Sequence, residues 1–271
     1  MTKKAILAVS FGTAVPETRR VNIEAVENEL RAAFPDWEVR RAFTSRMVRD
    51  KIAAEEGISI DSPAVALGRL GNDGFTEVVV QSLHVIPGEE YYRLVEALEP
   101  FGKAKLFDRL SLGRPLLFHQ GVQPGVPDDY RAAVEALCAQ LPIFTPEERG
   151  HIILMGHGSE HAADRCYDLL QQRLDAAGLP VFTATVEGSR TFEAALDWLK
   201  AEEARRVVLM PFMLVAGDHA INDMAGAEKD SWQNRLREAG YQVNSNLRGL
   251  GENSAFRKIF VEHARAAMDK K

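Results

Sequence analysis

Short apolar runs and amphipathic stretches take turns along this chain, beginning with the strand-like Ala5 to Val9 and a helix-like stretch that starts at Pro16. There Val21, Ala25, Leu30 and Phe34 recur at helical spacing among charged residues, the mark of a helix with one buried face. The same reading predicts a strand at Trp37 to Phe43, helices at Arg46 to Glu56 and Pro63 to Asp73, and a strand at Glu77 to Ile86. A helix at Tyr91 to Leu98 and a further strand with its turns within Lys103 to Phe118 complete the first half. Gln120 to Pro127 holds the densest cluster of glycine and proline and reads as a linker. Beyond it come a helix at Pro127 to Leu141, strands at His151 to Met155, Val181 to Val186, Arg206 to Val215 and Tyr241 to Asn246, and helices at His161 to Ala177, Thr191 to Glu203 and His219 to Ala239. A last helix spans Ser254 to Met268. Such alternation predicts right-handed β-α-β crossovers and parallel sheets covered on both faces.

One structural plan occurs twice. Val78 to Tyr91 parallels Val207 to Ala220: each is a β-rich run that passes through a second apolar stretch to a glycine, Gly88 or Gly217. Glu89 and Glu90 follow the first glycine, whereas Asp218 and His219 follow the second. Ile6 to Thr13 likewise parallels Ile152 to Ser159, with Phe11 opposite His157. The expected fold class is therefore α/β, with two similar doubly wound parallel-sheet halves of flavodoxin type flanking a central cleft. The halves are expected at residues 1–125 and 126–271, the second carrying most of the metal-site residues.

Composition narrows the partners. A net charge of −6 provides no basic stripe for phosphate backbones, which excludes nucleic acid from the expected partners. No apolar run approaches the roughly 20 residues that span a bilayer, so no membrane partner is expected. The opening Met1-Thr2-Lys3-Lys4 lacks the apolar core and cleavage site of an export signal, which predicts a cytoplasmic location. Cys138 and Cys166 are isolated, against a disulfide framework or a cysteine-rich metal site. A Gly-rich phosphate loop, a Walker lysine and a Gly-x-Ser-x-Gly elbow are all missing, so no nucleotide is expected and acyl transfer loses ground.

In open parallel sheets, ligands bind at the carboxyl ends of the strands. That rule selects His157, Glu187, His219 and Glu90. If the first strand of the second half lies between the other two, His157, Glu187 and His219 crowd one rim. Two imidazoles and a carboxylate there would hold a first-row divalent ion while leaving positions open. A neutral imidazole also accepts a proton from a weak acid. Each residue has a plainer reading: a strand-end histidine also caps helices, and Glu89 and Glu90 also suit a helix dipole. His161, four residues after His157, forms a metal pair only if both lie on one helix. Gly12-Thr13, Gly158-Ser159 and Gly188-Ser189 suit the presentation of N–H groups and hydroxyls to an anion, and equally suit ordinary turns. His84, His119, His151 and His263 read as structural or surface residues.

These strings resemble the class II, ATP-independent tetrapyrrole chelatases, and within them the anaerobic cobaltochelatases that act on sirohydrochlorin in cobalamin synthesis. The resemblance rests on Val9-Ser10-Phe11-Gly12-Thr13, Arg41 to Ser45, Gln81-Ser82-Leu83-His84, Met155-Gly156-His157-Gly158, Val186-Glu187, Gly249 to Asn253 and, most specifically, Leu214 to Met224. It implies a chelatase-like fold, with His157, Glu187 and His219 as metal ligands and His157 also as proton acceptor. It implies Glu90 as a cleft carboxylate, with Glu89 the competing choice. Phe11, Gly12, Thr13, Gly158 and Ser159 are the expected contacts of the macrocycle. Co2+ is implied as the substrate metal and sirohydrochlorin or a related tetrapyrrole as partner; assembly into a homo-oligomer is left open. The rival readings are an iron chelatase for sirohaem or haem, and a non-catalytic carrier of metal or tetrapyrrole.

Overall fold

A computed structural model describes residues 2–269, and within them the strands form two four-stranded, all-parallel sheets. The first contains β1 (Lys4–Ser10), β2 (Glu38–Phe43), β3 (Glu77–Ser82) and β4 (Arg109–Gly113) in the order β2-β1-β3-β4. The second contains β5 (Gly150–Gly156), β6 (Val181–Thr185), β7 (Arg206–Pro211) and β8 (Gln242–Ser245) in the order β6-β5-β7-β8. Both orders are the same flavodoxin-type winding, so the parallel between the two halves extends from sequence to topology. Phe11 and His157 are each the first residue beyond the central strand of their sheet.

The helices are α1 (Pro16–Thr18), continuing through a π-helical stretch (Arg19–Glu24) into α2 (Ala25–Ala33), then α3 (Arg46–Glu56), α4 (Pro63–Asn72) and α5 (Glu89–Lys103). They are followed by α6 (Asp129–Cys138), α7 (Arg165–Ala176), α8 (Phe192–Ala201), α9 (Trp232–Glu238) and α10 (Ser254–Asp269). Side-chain oxygens of Ser45, Ser62, Asp128 and Thr191 accept N–H bonds at the starts of α3, α4, α6 and α8, meeting donors that a helix cannot satisfy internally. Each sheet is apolar on both faces, as a parallel sheet between helices must be. Ala5, Leu7 and Val9 join Leu67, Leu70, Leu94 and Leu98 in one core, while the alternate residues Ile6 and Ala8 are buried on the opposite face. In the second sheet Ile153, Met155, Val207 and Leu209 pack with Phe192, Leu199, Trp232 and Leu236.

The chain divides into two compact units: the segment through Phe118 together with the segment from Ser254, and His119–Asn253. The contiguous division expected at residues 125 and 126 placed the last helix in the second half; α10 instead packs on α2, β3 and β4. Its buried Phe256, Phe260 and Ala264 form an apolar stripe, and Arg257 binds Glu29 of α2 at 3.1 Å. A four-stranded sheet with two apolar faces needs more cover on the second face than α2 alone supplies. The helix expected over His219 to Ala239 is also interrupted. A π-helical turn (Ala220–Met224) ends it, and α9 starts afresh with Ser231 as its cap, its Oγ accepting the Asn234 N–H at 3.3 Å. No helix among the described residues is long and apolar enough to cross a membrane.

Beyond β3, His84 shares a 2.9 Å hydrogen bond between Nδ1 and Ser82 Oγ. The residue as a whole is only partly covered, but its Nε2 is sealed from solvent and meets no hydrogen-bond partner among the described residues. Burial lowers its pKa from the ordinary 6.5 to about 4. The unfolded ring takes up a proton that the folded ring refuses. Its contribution is therefore fully present above pH 6.5 and is lost as pH falls from there toward 4, a difference of about 3 kcal/mol. Urea unfolding at pH 7 and pH 4 is expected to show the native chain losing more stability than His84→Asn by about that amount. Equal losses in the two proteins would refute the assignment.

Candidate active site

The β5 and β6 loops are bound together past the ends of their strands. The Val186 N–H donates to Gly156 O at 3.1 Å and the Glu187 N–H to His157 O at 2.8 Å, so strand pairing runs on to the two residues of interest. Gly158 makes this contact feasible. Its φ is +80°, and a Cβ at that position would stand 1.3 Å from the Glu187 carbonyl oxygen. Its N–H donates to Tyr167 Oη on α7 at 3.4 Å.

The third loop, after β7, delivers His219 at the start of the π-helical turn. The His157 and His219 rings meet edge to face, with centroids 4.9 Å apart and planes at 86°. An imidazole bound at about 2.1 Å has its ring centre about 3.2 Å from the ion, so two such rings at ligand angles of about 90–110° lie about 4.5–5.2 Å apart. The observed separation falls within that span. His219 Nδ1 is bonded to Asp223 Oδ2 at 2.5 Å, and His157 Nδ1 lies 3.2 Å from Gly158 O. Engaging Nδ1 fixes the tautomer that leaves Nε2 with its lone pair, as partners of metal-binding histidines commonly do. Asp223 escaped the sequence reading, although its place four residues after His219 was a usable signal.

Glu187 joins this pair through its backbone alone. Its backbone is fixed against His157 and Gly158, but its side chain is exposed. Among the described residues no group of three or more His, Cys, Asp and Glu side chains is gathered to hold a metal ion. Of the expected trio His157, Glu187 and His219, the two imidazoles are in ring contact, while Glu187 is bonded to His157 by its backbone and has an exposed side chain.

Two alternatives that the sequence left open are decided at this edge. Ser159 and Ser189 do not hold their N–H groups out to an anionic ligand: Asp164 accepts them, Oδ1 from Ser159 at 3.2 Å and Oδ2 from Ser189 at 2.8 Å. The anion of this nest belongs to the protein. His161 does not pair with His157 on a helix; it caps a short 3-10 turn (Ala162–Asp164), its Nδ1 accepting the Ala163 N–H at 3.1 Å.

In the first unit, Phe11 is exposed at the end of β1, and Thr13 is buried, its Oγ1 accepting the Val15 N–H at 3.2 Å. Gly12 lies between them against the Phe43 ring. Glu89 and Glu90 open α5 and both bind Arg93, at 2.6 and 2.9 Å. Glu90 is the more enclosed, with 28% of its side chain exposed against 69% for Glu89, which favours Glu90 as the carboxylate held in place.

Two flavodoxin-type sheets, with an imidazole pair drawn from two strand-end loops of the second, match the arrangement expected of a chelatase. DR2241 from Deinococcus radiodurans, described as a multi-domain protein with structural similarity to chelatases, shares the fold with a TM-score of 0.65 at 18% identity. That match covers 100% of this chain and 56% of the other. Residues 4–269 match the family described as Cobalt chelatase (CbiK). Sirohydrochlorin cobaltochelatase of Salmonella typhimurium is 41% identical over 267 residues, covering 98% of this chain and 97% of that protein. Sirohydrochlorin cobaltochelatase CbiKC of Nitratidesulfovibrio vulgaris is 35% identical over 268 residues, covering 99% and 92%. The chain belongs to the cobalt chelatase family of enzymes.

Proposed function

We infer that this enzyme inserts Co2+ into sirohydrochlorin in cobalamin synthesis without consuming a nucleotide, in the cytoplasm, with His157 and His219 handling the ion. The observation that carries this reading is the imidazole pair, spaced at 4.9 Å as two ligands of a single ion would be. Insertion must break two pyrrole N–H bonds while a hydrated dication sheds water. Two protons leave, two Co–N bonds to the former pyrrole nitrogens form, and no electron changes hands. Two neutral imidazoles suit both halves of that exchange. They hold a borderline dication without the thiolates of a closed structural site, so the ion can be released to the macrocycle. An imidazole nitrogen can also accept a proton, and His157 is assigned that task.

In this reading Glu187 supplies a third, mobile donor. Its anchored backbone keeps the carboxylate beside the pair, and its exposed side chain swings in as water leaves the ion. Asp223 keeps His219 in the tautomer that presents Nε2. Phe11, Gly12, Thr13, Gly158 and Ser159 remain assigned to the macrocycle, with Ser159 contributing its hydroxyl rather than its N–H. Glu90 remains assigned to catalysis as a fixed carboxylate.

The test is turnover. Sirohydrochlorin mixed with Co2+ and a trace of the protein in nucleotide-free buffer is expected to convert many macrocycles per protein molecule, read as the change in visible absorbance. Conversion limited to one macrocycle per chain would mark a carrier. Faster conversion with Fe2+ in a parallel reaction would mark an iron chelatase.

A further inference from the structure

Asp164 sits just ahead of α7, 8% exposed, and its carboxylate accepts three hydrogen bonds. Oδ1 takes the Ser159 N–H at 3.2 Å, while Oδ2 takes the Ser189 N–H at 2.8 Å and its hydroxyl at 2.7 Å. Ser159 lies two residues past His157, and Ser189 lies two residues past Glu187. One buried carboxylate thus holds both loops at the same distance along the chain from their site residues. The fit is close: Gly188 has φ +147°, and a Cβ there would come within 2.5 Å of Asp164 Oδ1.

We propose that Asp164 is a positioning residue for metal insertion, setting the spacing between His157 and the backbone that carries Glu187 by binding the β5 and β6 loops to its two oxygens. The inference rests on the chelatase reading of His157 and Glu187 and extends it to a residue that touches neither metal nor macrocycle. Backbone bonds from Val186 and Glu187 already join the loops at their roots. Asp164 acts further out, where the chain turns away and where, among the described residues, no other hydrogen bond joins Ser159 to Ser189. Placement of this kind matters kinetically, because a displacement of about 1 Å at a reacting group costs on the order of 100-fold in rate.

Three variants test it. Asp164→Ala removes both acceptors, Asp164→Asn keeps one and replaces the other with a donor, and Ser189→Ala removes only the bond from its hydroxyl. Expected values of kcat for Co2+ insertion fall about 100-fold, about 10-fold and about 2-fold respectively, with KM for sirohydrochlorin held within about 2-fold. The visible absorption of Co2+ added without macrocycle is expected to shift in the same order, since it reports the ligands around the ion. A purely stabilising role would lower the unfolding midpoint and leave kcat and the Co2+ spectrum unchanged in folded protein, which would overturn the proposal. Should Asp164→Ala not fold, Asp164→Asn and Ser189→Ala decide the matter. If the native chain turns over and the Asp164 variants match it, Asp164 is refuted while the chelatase reading stands. If the native chain fails to turn over, the chelatase reading falls, and the Co2+ spectra still show whether Asp164 spaces the ligands.

Discussion

Replacing His157 with alanine is expected to lower kcat/KM for Co2+ insertion by at least about 1000-fold while leaving global stability within about 0.5 kcal/mol. The stability half of that statement follows from position: the side chain is exposed, beyond the last residue of β5, and supports no core contact. The activity half follows from the two tasks assigned to the ring, holding the ion against His219 and accepting a pyrrole proton. The tasks separate by titration with metal. His219→Ala loses a ligand and is expected to raise KM for Co2+, with much of the rate restored at high concentration. His157→Ala also loses the acceptor and is expected to stay slow at saturating Co2+, with partial rescue by added imidazole. Initial rates across a Co2+ series, read by absorbance, check both, and a His157→Ala protein with native turnover would remove this residue from the mechanism.

Gly158→Ala is expected to be the most damaging single-methyl change at this edge, costing at least about 3 kcal/mol and abolishing insertion. Two independent penalties fall on it. An L-residue is strained at φ +80°, and the added carbon would lie 1.3 Å from the Glu187 carbonyl oxygen, so one loop must move bodily. The movement breaks the 2.8 Å bond from the Glu187 N–H to His157 O, the bond that fixes the Glu187 backbone beside His157. Denaturant unfolding together with a rate assay checks the prediction; native stability and rate in this variant would contradict the loop contact.

Much of the architecture was legible because period-2 and period-3.6 apolar patterns differ and because strict alternation of strand and helix permits few topologies. The carboxyl-edge rule pointed to His157, Glu187, His219 and Glu90, and of these the two imidazole rings meet. The break after Met224 was hidden for a definite reason. Ala220, Met224, Trp232 and Leu236 are spaced by multiples of four and all face one core, so the apolar phase continues across a segment where the backbone does not stay helical. The destination of α10 was hidden too: its apolar stripe declares that it packs, not against which sheet.

What the sequence by itself determined is the order of strands and helices, the repeated plan of the two halves and the strand-end imidazoles, since each depends on local periodicity and on a sheet edge common to all such folds. Only the tertiary structure decided that Ser159 and Ser189 serve Asp164 rather than an outside anion, that Asp223 orients His219, and that Glu187 is held by its backbone with its carboxylate in solvent. Those outcomes turn on which of several nearby polar groups lies within about 3 Å of a given donor, and hydrogen bonds are short-ranged and directional enough that chain order alone cannot choose the partner.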